Sequence, residues 1–68
     1  MRKTLIIEGM MCGHCAAHVQ RALNAIPGVQ AEVNLQRKSA VVESAQEVAD
    51  DVLRQAVQNA GYEVVAIQ

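Results

Sequence analysis

The chain of 68 residues contains no Phe and no Trp, and Tyr62 is its single aromatic side chain. Single-stranded nucleic acid is gripped by stacking bases on aromatic rings, and duplexes by a surplus of positive charge. Six Lys and Arg against seven Asp and Glu leave a formal net charge of −1. Neither route is open, so nucleic acid is excluded as a partner. Long apolar runs are missing too. Leu5-Ile6-Ile7 is bounded by Thr4 and Glu8, too short for the apolar segment of a signal peptide and far short of the roughly 20 residues of a membrane span. The chain reads as cytoplasmic, with no membrane insertion. Cysteine is limited to Cys12 and Cys15, which rules out a disulfide framework. In a reducing compartment two neighbouring thiols are a metal or redox pair rather than a structural cross-link.

What is present is aliphatic. Half of the chain is apolar, and without large aromatics the core has to be built from Val, Ile, Leu and Ala. A chain of this length buries only about 60% of its unfolded surface and cannot divide further, so residues 1–68 are expected to form one domain. Leu5 and Ile7 alternate with Thr4, Ile6 and Glu8, which predicts a half-buried strand over 4–8 ending at Gly9. From Cys15 the residues Val19, Ala22, Leu23 and Ile26 recur at helical spacing until Pro27-Gly28, a helix stop. Val29, Ala31, Val33 and Leu35 alternate with Gln30, Glu32 and Asn34, giving a second strand. Gln36-Arg37-Lys38-Ser39 is a polar turn, and Ala40-Val41-Val42 a third strand, antiparallel to the second.

Val48, Val52, Leu53, Ala56, Val57 and Ala60 mark one face of a second helix stopped by Gly61. Ser44 with Glu47 has the form of a capping box, but Asp50-Asp51 suit a first turn that begins later. The later start is preferred, with 44–49 a connecting loop. Residues 62–67 alternate again. The order β-α-β-β-α-β belongs to the α+β class and predicts a ferredoxin-like sandwich, with two helices on one face of a four-stranded antiparallel sheet. Ile6 and Val41 then fall on the open face.

Gly9-Met10-Met11-Cys12-Gly13-His14-Cys15 joins the first strand to the first helix. Unpaired N–H groups and the positive end of the dipole at a helix start favour thiolate over thiol. Thiolates are soft ligands that select ions such as Cu(I). Two other chemistries fit a C-x-x-C pair, namely a dithiol/disulfide redox centre and zinc. Structural zinc wants four protein ligands, and this chain offers two thiols with His14 and His18 crowded nearby. In the predicted fold Cys12 is exposed and Cys15 partly sheltered.

These seven residues resemble the G-M-x-C-x-x-C signature of the heavy-metal-associated domain, found in cytosolic copper chaperones and in the N-terminal modules of copper-transporting P-type ATPases. The resemblance spans the chain and includes Pro27-Gly28-Val29, Ala40 with Val42, and Gly61-Tyr62. It implies that Cys12 and Cys15 bind one Cu(I) and pass it by ligand exchange to the metal-binding domain of a copper-transporting P-type ATPase. No substrate bond is broken in such a transfer, so the chain reads as a carrier and not an enzyme. It would act as a monomer, with a metal-bridged dimer as the variant state. The resemblance also admits a module of a transporter or of mercuric reductase, with Hg(II) or Zn(II) as cargo. It implies that Met10 packs beneath the loop and that His14 modulates the site or ligates under special conditions; Met11 reads as an exposed side chain available to a partner. Tyr62 resembles the tyrosine that bacterial chaperones hold beside the loop. As a plain aromatic with a wet hydroxyl it would need no such role, and His18 reads as a polar helix position.

Overall fold

A computed structural model describes residues 1–68. The elements are β1 (Arg2–Glu8), α1 (Gly13–Asn24), β2 (Val29–Asn34), β3 (Ser39–Ser44), α2 (Asp50–Asn59) and β4 (Glu63–Ile67). The sheet is antiparallel in the order β2-β3-β1-β4. The order and type of all six elements follow the expectation. Their ends differ: β1 begins at Arg2, because Arg2 and Lys3 pair with Glu43 and Val42. β3 extends through Ser44, expected in the connecting loop, because Ser44 pairs with Val29 of β2 and its N–H bonds the Met1 carbonyl. Periodicity sees only apolar positions, whereas a ladder continues wherever a neighbouring strand offers backbone partners.

Core parity follows the register. Leu5 faces Ala40 and Ile7 faces Val64, and all four are buried with Val42, Val29 and Met10 from the strands and loop, and Val19, Leu23, Leu53 and Val57 from the helices. The core contains aliphatic side chains and one methionine, as the composition requires. Ala31 and Val33 are only half-buried because β2 is an edge strand. Val52, expected on the buried face of α2, is 46% exposed. It lies about 100° round the helix from Leu53, and Leu53 with Val57 sets the direction that meets the sheet. Ile6 and Val41 are half-buried on the open face, as expected.

The connections show why the breaks fall where they do. Ile26-Pro27-Gly28-Val29 is a turn closed by the Val29 N–H on the Ile26 carbonyl at 3.1 Å, with Gly28 at φ +79°. Pro at the second place and a positive-φ Gly at the third are the demands of a type II turn. The late start of α2 holds: Ala49 is its N-cap and Asp50 and Asp51 fill the first turn. Ser44 does not cap the helix, since its Oγ accepts the Gln46 N–H instead. Lys3, which no periodicity marks, closes this end: its ammonium donates to Asp50 Oδ1 at 2.6 Å and to the Val48 carbonyl at 3.1 Å.

Candidate metal centre

Strand parity and one glycine build the loop. Glu8 ends β1, and Gly9 at φ +98° turns the chain so that Met10 drops into the core with 1% exposure. A Cβ at Gly9 would lie 3.5 Å from the Tyr62 ring, so space alone would permit one, but its φ is one that side chains resist. Met11 is thrown outward at 88% exposure. The methionines therefore divide as expected, one an anchor and one a surface group.

Cys12 is the N-cap of α1, with extended dihedrals and its carbonyl accepting the Ala16 N–H at 3.1 Å. Cap positions ordinarily carry an oxygen that accepts the N–H of the second or third helical residue. Here no side chain caps the helix and its first turn holds no acid. The positive end of the helix is thus left to the two sulfurs. Both thiols are free, Cys12 exposed and Cys15 partly sheltered, with Sγ atoms 3.5 Å apart.

Tyr62 is brought to this site by the way α2 ends. The Gly61 N–H bonds the Gln58 carbonyl at 2.9 Å and the Tyr62 N–H bonds the Val57 carbonyl at 3.1 Å, with Gly61 at φ +97°. This is the Schellman arrangement, in which the residue after the glycine folds back toward the helix. The half-buried Tyr62 packs on the core, and its hydroxyl is the leading cause of a Cys15 pKa lowered from 9.0 to about 7. The backbone of Met11, the Cys12 thiol and the Cys12 backbone act the same way, against a smaller opposing effect of burial. In return the Tyr62 pKa is raised, first by Cys15 and then by burial. The hydroxyl approaches Cys15 without completing a hydrogen bond to the neutral thiol; within the pair, only the contact between the two sulfurs qualifies as one. The ring packs as a plain core aromatic would, and the hydroxyl lies where it lowers the Cys15 pKa.

His14 and His18 are exposed on α1, and no cluster of three or more His, Cys, Asp or Glu side chains assembles anywhere in the chain. A closed four-ligand zinc site is not formed by this chain alone. No helix is long and apolar enough to cross a membrane. Cys12 exposed and Cys15 partly sheltered follow the expectation, whereas the missing cap on α1 and the folding back of Tyr62 were not drawn from the sequence. The Gly61-Tyr62 pair after a helical run was the available signal for the second.

An open, uncapped pair of thiols on this loop, carried by this β-α-β-β-α-β sandwich, defines a class, and comparison with known proteins agrees. Residues 4–63 match the family model of the heavy-metal-associated domain, and the chain belongs to that family. It is 42% identical to the copper chaperone CopZ of Staphylococcus aureus over 94% of this chain and 97% of that one. It is 45% identical to cation-transporting P-type ATPase B of Mycobacterium leprae over 96% of its own length, yet spans only 8% of that ATPase. The solved structure of a CopZ metallochaperone superposes with a TM-score of 0.88 at 40% identity, over 96% of this chain and 100% of that one.

Proposed function

We propose that the chain is a carrier of Cu(I), which it holds between Cys12 and Cys15 and surrenders to the metal-binding domain of a copper-transporting P-type ATPase. The observation that carries this is the pair of free sulfurs, 3.5 Å apart, at a helix start with no other cap. The similarity to a copper chaperone over nearly its whole length, and to a short segment of an ATPase, supports both ends of the transfer. The copper is cargo. Each thiol gives up its proton as its sulfur binds, leaving Cu(I) with two thiolates and a net charge of −1, which the uncapped helix start favours.

The spacing suits an open site. Sulfurs 3.5 Å apart subtend roughly 100° at an ion about 2.3 Å from each, the usual metal–thiolate length, whereas linear coordination needs about 4.6 Å. Cys12, at the exposed end, is the group free to swing outward. Exchange then proceeds by addition: a thiolate of the acceptor forms a third bond to the ion and one bond to this chain breaks, then a second acceptor thiolate binds as the remaining bond breaks, and the two freed sulfurs of this chain take back protons. The oxidation state does not change and no free ion is released. Cys12, the exposed thiol, exchanges first, and the partly sheltered Cys15 is the ligand that holds longest. His14 stands beside the pair as a modulator, outside the two-thiolate set.

The carrier works in the cytosol, where thiols stay reduced, as a monomer that forms a metal-bridged dimer when no acceptor is present. Competition with a Cu(I) chelator is the test. One Cu(I) per chain, retained against the chelator and released to an acceptor domain, is expected. Binding of copper with the potential and turnover of a dithiol oxidant would overturn the assignment in favour of redox chemistry.

A further inference from the structure

β2 lies at the edge of the sheet, hydrogen-bonded to β3 alone. An edge strand presents a row of outward N–H and C=O groups that can template pairing with another chain. In an antiparallel pair the N–H and C=O of alternate residues face away from the partner. The outward residues of β2 are Val29, Ala31 and Val33, and each of their donors is taken. The Val29 N–H donates to the Ile26 carbonyl at 3.1 Å, the Ala31 N–H to Asn24 Oδ1 at 2.8 Å, and the Val33 N–H to Gln20 Oε1 at 3.4 Å. All three acceptors belong to α1 or to the turn that ends it.

Geometry explains the match. Four helical residues rise about 6 Å and two strand residues about 6.8 Å. Side-chain amides one turn apart on α1 therefore meet backbone amides two apart on β2, and α1 stands in for the missing strand. The opposite edge is guarded differently. β4 has five residues, its register with β1 breaks between Ile6 and Ile7, and Glu63 faces Glu8. A short strand, an irregularity and charge are themselves deterrents to pairing. β2 is longer, with an unbroken register to β3, and apart from the single charge of Glu32 its protection is α1.

We propose that the outer edge of β2 is a latent pairing surface for a second copy of this chain, held closed by Gln20 and Asn24. The surface is self-complementary. An antiparallel register centred on Ala31 sets Val29 against Val33 and Ala31 against Ala31, so that the outward groups of the two copies coincide. The same register sets Gln30 against Glu32 and avoids the like-charge pair that centring on Glu32 would create. Pairing of this kind needs no metal, which separates it from any association through Cys12 and Cys15.

The test uses reduced, metal-free protein with a chelator present. Gln20→Ala with Asn24→Ala should self-associate in sedimentation runs from micromolar to millimolar concentration, with cross-strand contacts between Ala31 of the two copies. Gln20→Glu with Asn24→Asp keeps an acceptor oxygen at each place and should stay monomeric. Hydrogen exchange gives a local readout: Asn24→Ala should speed exchange at Ala31 by about tenfold, and Gln20→Ala should do so at Val33. A folded double-alanine protein that remains monomeric overturns the proposal, as does equal association of the Glu/Asp variant. If the double variant does not fold, Asn24→Ala alone carries the association test, and unchanged exchange at Ala31 in that variant would reject the ladder.

Discussion

The two sulfurs are chemically alike and are made different by their surroundings. Cys12 is exposed, while Cys15 sits against Tyr62 with its pKa lowered to about 7. A group whose folded pKa lies below its unfolded value adds stability above the unfolded pKa and loses it as pH falls through the folded one. The melting midpoint of the reduced, metal-free protein should therefore rise between about pH 7 and pH 9, the interval set by Cys15. Cys15→Ser should flatten that rise, and Tyr62→Phe should move it toward the ordinary thiol range, as followed by thiolate absorbance. A Tyr62→Phe titration identical to that of the parent would remove the hydroxyl from the account. Metal binding reads the same residues. Cys12→Ser or Cys15→Ser should each abolish chelator-resistant Cu(I) binding and leave the circular dichroism spectrum unchanged, since neither thiol is fully buried in the core. Tight one-to-one binding in both variants would reject the two-thiolate site.

Elements decide where those residues stand. α1 begins at the site, guards β2 along its length, and buries Val19 and Leu23; α2 delivers Tyr62 only because Gly61 ends it. Met10 anchors the loop in the core cluster that also holds Val19, Leu23, Leu53 and Val57. Met10→Ala should cost about 2 kcal/mol or more, whereas Met11→Ala, at a surface position, should stay within about 0.5 kcal/mol. Chemical unfolding measures both, and equal midpoints would show that the loop is not anchored through Met10. At the far end Lys3 ties β1 to the start of α2, with its pKa raised chiefly by the hydrogen bond to Asp50. That contribution is present below the ordinary lysine range and lost as pH rises through the raised value. Lys3→Met should lower the melting midpoint at neutral pH and remove part of its alkaline decline. Periodicity made the six elements legible, because Leu5 with Ile7 and Val19 with Leu23 repeat at the spacings of strand and helix. Lys3, Gln20 and Asn24 were not legible: their roles depend on which polar group the fold brings near, and a hydrophobic pattern carries no such information. Tyr62 is legible in part: the resemblance sets it beside the loop and Gly61 marks the helix end that folds it back, but its effect on Cys15 depends on what the fold brings near.

Across the whole molecule, cargo and stability are linked through the size of the domain. A core of eleven buried apolar residues without an aromatic leaves a modest unfolding free energy, so an ion that binds only the folded loop should raise it visibly. With free metal at 100 times its dissociation constant the gain would be about 2.7 kcal/mol if the unfolded chain bound nothing. Cys12 and Cys15 are separated by only two residues, however, and an unfolded peptide with that spacing still chelates a soft ion. Part of the gain is therefore cancelled. The contrast is with zinc fingers, whose ligands come from distant positions and whose fold depends on the metal. Here the core, the hairpin and both helix stops are complete without an ion. The reduced, metal-free protein should give the circular dichroism spectrum of a folded α+β domain, and one equivalent of Cu(I) should raise its melting midpoint by less than the full linkage value. The Cys12→Ser variant should show none of that rise. An unfolded spectrum in the absence of metal would make the ion a structural requirement, and a protein that cannot release its ion without unfolding is not a carrier.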